Sequence, residues 1–257
     1  KNALKGAGFF IGALLLSLLE FQGAVTAMVV MLTIVWLLSL VLLRQELGVM
    51  KNKPKFNQIF SNSTAVNWLS LARFFLFGAR DVWFVVALPV FLHQTLEWNF
   101  WQVGGYLAAW IIIYGAIQVV APTLTGKYKT PEAARAQLVF FGGLLVLIPA
   151  GIALALTRDF SVVYVVTIGL MLFALLFAMN SALHSFLIVR YARSDGASLD
   201  IGFYYMANAG GRLAGTVASG ALFQVFGLDA CLWVSALMIA LASITALSLP
   251  QEEKGTA

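Results

Sequence analysis

The chain has 257 residues, of which 61% are hydrophobic and only 11% charged, with a formal net charge of +5. So little charge, against the roughly 25% of soluble domains, excludes an ordinary water-soluble globule and points to an integral membrane protein. The single cysteine, Cys231, excludes an internal disulfide and a cysteine-based metal centre, and in its apolar setting it reads as a packing residue.

Apolar runs long enough to cross a hydrocarbon core of about 30 Å, which takes about 20 helical residues, recur along the whole length. They predict eight spans, at about 3 to 21, 23 to 43, 67 to 93, 100 to 124, 134 to 156, 160 to 189, 199 to 226 and 228 to 249. The chain opens on Lys1 rather than Met and runs straight into the first span, so it is expected to be a fragment. Gly6, Gly8 and Gly12 in that span miss the dinucleotide spacing G-x-G-x-x-G and are expected to pack helices.

After the second span come Arg44, Lys51, Lys53 and Lys55 in a connection from 45 to 66 that is too polar to span. Its small apolar cluster, Phe56, Ile59 and Phe60, suggests a turn of helix lying on the membrane surface. Lys127, Lys129 and Arg135 follow the fourth span, Arg190 and Arg193 the sixth, and Lys1, Lys5 and Lys254 mark the ends. Twelve of the sixteen Lys and Arg therefore fall on one side. By the positive-inside rule that side is cytoplasmic, which places both ends of the chain in the cytoplasm and assigns the positive charge to topology rather than to nucleic acid.

Charge inside the third span is the unusual feature. The stretch LFGARDVWF, residues 76 to 84, sets Arg80 and Asp81 among residues that belong in hydrocarbon, with Arg73 seven positions upstream. With Arg212 in the seventh span, these four charges oppose insertion by about 10 kcal/mol in sum, so they are expected to face protein or water. On a helix Arg73 and Arg80 point within about 20° of each other, on a face shared with Asn67, Ser70, Phe77 and Asp81. One aspartate cannot neutralise three arginines, and the net +2 calls for an anionic partner. Arginine's planar fork suits carboxylate and phosphate. Asp81 is expected either to couple or gate transport or to lock two helices together.

The fourth span carries Tyr106, Trp110, Tyr114 and Gln118 at every fourth position, a row that suits either a pocket wall or packing. The sixth holds Asn180, Ser181, His184 and Ser185 near its cytoplasmic end, with His184 a possible proton relay. In the seventh, Tyr204, Asn208, Arg212 and Thr216 form a polar stripe about 100° from a small stripe of Ala207, Gly211, Gly215 and Ser219. The small stripe is expected to admit a neighbouring helix and the polar one to offer ligands. No HExxH, Walker loop or G-x-S-x-G is present, so an intramembrane enzyme has no constellation to work with beyond His184 and Ser185. A transporter binding an anion at mid-membrane is the leading expectation, and a non-transporting scaffold is the third.

The segments NWLSLARFFLFGARDVWFVVALPVFL and YYMANAGGRLAGT carry a resemblance to the major facilitator superfamily, and within it to organoarsenical efflux permeases of the ArsJ type. The resemblance implies a helix bundle in which residues 1–44 are the last two spans of the amino-terminal half, 45–66 the central cytoplasmic linker and 67–257 the six-helix carboxy-terminal half. Four further spans of the twelve-helix fold would be missing. It implies a secondary transporter of a bacterial inner membrane, exporting 1-arseno-3-phosphoglycerate made by a glyceraldehyde-3-phosphate-dehydrogenase partner, without a cofactor. Arg73, Arg80, Arg212, Asn208, Tyr204 and Tyr114 would bind the anion, and Asp81 would couple or gate. Efflux of another organic anion and multidrug/proton antiport are the alternatives. The superfamily's basic loop signature has only a weak echo here, TGKYKTPEAARA, which lacks the usual aspartate.

Overall fold

The computed structural model describes residues 2–42, 63–124, 130–193 and 196–250, and every regular element among them is an α-helix. The expected surface turn at Phe56 to Phe60 and the TGKYK loop lie outside the described residues. In chain order the helices are α1 (Asn2–Leu42), α2 (Thr64–Phe84), α3 (Ala87–Gln94), α4 (Phe100–Leu124), α5 (Pro131–Leu156), α6 (Val162–Tyr191) and α7 (Ala197–Leu247).

Six helical segments among the described residues are long and apolar enough to cross a membrane, where eight separate spans were expected. The difference sits at two single residues. Expected spans one and two form α1, which breaks only at Glu20 (φ 56°, ψ −175°), and spans seven and eight form α7, which breaks only at Gly227 (φ 82°, ψ −171°). Positive φ is open to glycine and costly for glutamate, so Gly227 suits its break while Glu20 holds a strained one.

The expected third span is also interrupted, between α2 and α3. Pro89 supplies the reason, because a proline cannot donate to the carbonyl four residues back and its ring crowds that carbonyl, here Val85. The Ala87 N–H freed at the break donates to Ser219 Oγ of α7 at 3.0 Å. In a membrane such a group must find a protein partner, since lipid offers none. Helix starts are specified locally. Ser63 Oγ accepts from the Val66 N–H at 3.4 Å, and Thr130 Oγ1 accepts from Ala133 at 3.3 Å, ahead of Pro131 at a position that needs no N–H. Arg193 and Asp200 clamp the end of α6 to the start of α7, the buried carboxylate accepting from Arg193 Nε at 3.1 Å and Nη2 at 3.2 Å.

Helices α2 and α7 are in backbone contact. A Cβ on Gly215 would meet Gly78 O at 2.5 Å and the Asp81 Cβ at 3.1 Å, and a Cβ on Gly211 would overlap Phe74 O. The small stripe expected to pack does so, against α2. Ser235 Oγ of α7 donates to Ala79 O of α2 at 2.7 Å, tying down a further carbonyl. Behind this pair an aromatic core joins α2, α4 and α6: Trp83 meets Phe173 edge-on with ring centroids 5.1 Å apart, and Trp110 Nε1 donates to Leu170 O at 2.8 Å. Tyr106 OH donates to Thr167 O at 2.9 Å, so the row on α4 serves largely to fasten α6. The first part of α1 packs on α4, with Gly6 against Ile112 and Gly104 of α4 against Ala13. Gly8 and Gly12, expected to pack, face open space instead. Cys231 is buried, as its apolar setting suggested.

Candidate functional site

The close approach of α2 and α7 builds the charged site. Because Gly211 and Gly215 carry no side chains, α7 lies directly on α2 beside Gly78 and Asp81, and Arg212, next to Gly211, reaches Asp81. Asp81 is wholly buried and shared: its Oδ1 accepts from Arg80 Nε at 2.6 Å, with Arg80 Nη2 in still closer contact, and its Oδ2 accepts from Arg212 Nε at 2.9 Å. The two arginines are unequal. The Arg80 side chain is 8% exposed and that of Arg212 46%. Among the described residues Arg212 Nη1 and Nη2 have no protein acceptor, so this guanidinium keeps an unused pair of donors.

Arg73 belongs to a different cluster. Its Nε donates to Asn208 Oδ1 at 3.0 Å and its Nη1 to Ser181 Oγ at 3.0 Å, with Ser181 O at 3.5 Å. Tyr114 OH and Gln118 Nε2 each lie 3.3 Å from the same Ser181 Oγ, and the Tyr204 ring centroid is 5.2 Å from the Arg73 guanidinium carbon. No carboxylate pairs with Arg73 among the described residues. Neutral acceptors and aromatic faces carry its charge instead. His184 is buried beside this cluster, and its Nδ1 and the Tyr204 hydroxyl have no partner among the described residues.

Phe77 separates the two clusters. It lies one helical turn from each arginine, with its ring centroid 3.8 Å from the Arg73 guanidinium carbon and 5.0 Å from that of Arg80. Phe177 of α6 closes on it at 5.1 Å between centroids. A cation over an aromatic face gains about 0.5 to 2 kcal/mol, so each arginine is held against the partition.

A cleft of about 890 Å³ opens on the Arg80 side. Arg80 and Arg212 line it, together with residues of α1, the α2–α3 break, α3 and α4, among them Phe9, Leu16, Phe84, Pro89 and Ile111. Of the residues expected to bind a ligand, Arg80 and Arg212 therefore reach one cavity with Asp81 behind them. Arg73, Asn208, Tyr204 and Tyr114 gather around Ser181, away from the cleft lining. The contribution of α1 was missed in the sequence, although Gly8 and Gly12, both in the lining, gave a signal as gaps in an otherwise bulky helix. Asn180, singled out in the sequence, donates to Leu138 O at 2.9 Å and serves packing. Among the described residues no group of three His, Cys, Asp or Glu side chains gathers as metal ligands. A scan against protein-family models finds no match to this chain, and a search of curated proteins finds none either.

Proposed function

We propose that this chain is part of a secondary transporter of the major facilitator type and that it exports an organic anion. The observation that carries the reading is the Arg80–Asp81–Arg212 cluster, two cations on one buried carboxylate at the edge of a large cleft within apolar helices. Charged side chains inside a membrane bundle are costly to insert, and where they occur they commonly mark substrate or ion paths. Helix lengths support eight crossings. At 1.5 Å per residue the 41 residues of α1 extend about 60 Å and the 51 of α7 about 75 Å, each about twice or more the hydrocarbon thickness, with a break near the middle. Residues 1–44 then supply two spans of one half, 67–257 the six spans of the other, and both ends of the chain lie in the cytoplasm of a bacterial cell.

The working cycle follows from competition at Arg212. An arriving anion takes up the free Nη donors and draws the guanidinium from Asp81, and the loosened carboxylate lets α7 shift on α2. Asp81 thus gates the site. The resemblance to organoarsenical permeases makes 1-arseno-3-phosphoglycerate, supplied by a dehydrogenase partner, one cargo to test. The experiment is counterflow of labelled organic anions in proteoliposomes holding the complete transporter to which the chain belongs, with organic cations as the comparison. Anion exchange above protein-free vesicles supports the reading. Exchange of cations alone replaces it with drug/proton antiport, and exchange of neither returns the chain to a scaffold.

A further inference from the structure

The separation of Arg73 from the cleft changes the charge that a ligand meets. Arg80, Arg212 and Asp81 sum to +1, since the third arginine is held behind Phe77 by Asn208 and Ser181. The next clue is the wall. Of the nineteen residues lining the cleft only Arg80, Arg212, His93 and Gln94 have polar side chains, and the His93 ring is already engaged, with Nδ1 2.8 Å from Trp98 O and its face stacked on Phe100. A polyanion entering here would leave most of its charge against hydrocarbon. Burying charge without partners is among the costliest things a site can do.

We propose that the cleft binds an amphipathic monoanion, one carboxylate-like head on an apolar body, with the head on the free Nη donors of Arg212 beside Arg80 and the body along the α1–α3–α4 wall. This rests on the anion-carrier reading and narrows its cargo. One negative charge brings the cluster of Arg80, Asp81 and Arg212 to neutrality. A volume of about 890 Å³ suits an organic molecule larger than a three-carbon acid, being near the upper end of the usual range for small-molecule sites. Gly8 and Gly12 enlarge the wall, since nothing lies within 4 Å of where their Cβ atoms would be. The phosphorylated three-carbon acid implied by the family resemblance fits this charge and this wall less well.

The test is equilibrium binding of a series of straight-chain carboxylates from butanoate to decanoate to the full chain in lipid nanodiscs, with empty nanodiscs subtracted. The matching alcohols, inorganic phosphate and 3-phosphoglycerate serve as comparisons. Affinity should rise about fourfold per methylene, the transfer free energy of a buried CH₂, until the cleft is full. Each carboxylate should bind more tightly than its alcohol, and Arg212→Gln should remove that preference, a loss of about 10- to 150-fold. Arg212 is half-exposed, so this variant is expected to fold. Gly12→Leu, which grows into open cleft space, should flatten the dependence on chain length while sparing the carboxylate preference. Tighter binding of 3-phosphoglycerate than of octanoate, lost in Arg212→Gln, would overturn the monoanion proposal and leave the anion carrier standing. Equal binding of alcohols and carboxylates would overturn the proposal too. No binding of any anion above empty discs would sink both.

Discussion

Asp81→Asn removes the one carboxylate that two arginines share, and the structure says which of them suffers. Arg212, 46% exposed at its side chain, is rehydrated by the cleft, whereas Arg80, 8% exposed against Phe77, Phe84 and Phe177, is not. Breaking a buried ion pair by removing one partner costs about 3 to 5 kcal/mol, because the survivor stays buried and uncompensated. Arg80 carries nearly all of that cost. The arm to Arg212 adds less than about 1 kcal/mol, the scale of a pair that water screens. Arg212→Gln should therefore cost less than about 1 kcal/mol, since Arg80 keeps Asp81. Thermal unfolding in mild detergent, followed by tryptophan fluorescence, reads the contrast. For a chain of this size each kcal/mol moves the midpoint by about 2 to 4 °C, so Asp81→Asn should fall by about 10 °C and Arg212→Gln by less than about 4 °C. Equal shifts for the two variants, or an Asp81→Asn protein that melts with wild type, would refute the reasoning.

Three other outcomes are expected. Gly211→Ala and Gly215→Ala should each destabilise by about 1 to 3 kcal/mol, because the new methyl meets backbone of α2 that cannot move aside, while Gly210→Ala, whose Cβ would sit 3.5 Å from the Phe74 ring, should be tolerated; the same melting assay separates them. Arg73→Gln should lower stability by about 1.5 to 3 kcal/mol through its lost bonds to Asn208 and Ser181 yet leave octanoate affinity unchanged, and weaker binding by a folded variant would restore Arg73 to the ligand site. Lys53→Cys should react with membrane-impermeant maleimide only after cells are opened, and ready labelling in intact cells would reverse the orientation.

Hydropathy and helix signals made much of the architecture legible. The expected spans 100–124, 134–156 and 160–189 fall within about three residues of α4, α5 and α6, because a long apolar run is a local feature, while the Thr130-Pro131 start of α5, a local signal too, was passed over. The breaks at Glu20 and Gly227 were legible only as junctions between runs, since a single residue can break a helix without leaving a polar loop. Arg73 and Arg80 show where periodicity stops. Spacing gives the angle around a helix, on which these two agree, yet seven residues of rise separate them by about 10 Å, enough for Phe77 to stand between. The cleft wall could not be read at all, as it depends on how the first part of α1 docks on α4. Gly211 and Gly215 did signal contact, but which helix they would meet is a long-range matter that only the fold decides.

Whether Arg80 and Arg212 jointly hold a transported anion is decided by counterflow in proteoliposomes holding the complete transporter, wild type set against Arg212→Ala and Arg212→Lys. Proteins are matched for incorporation and melting temperature, and the apparent affinity for labelled octanoate is read from the concentration dependence of exchange. Wild type should show saturable exchange, Arg212→Ala a loss of affinity of about 10- to 150-fold, and lysine only partial recovery, since its point charge lacks the two-pronged geometry. Exchange by Arg212→Ala with wild-type affinity would contradict joint binding by the two arginines.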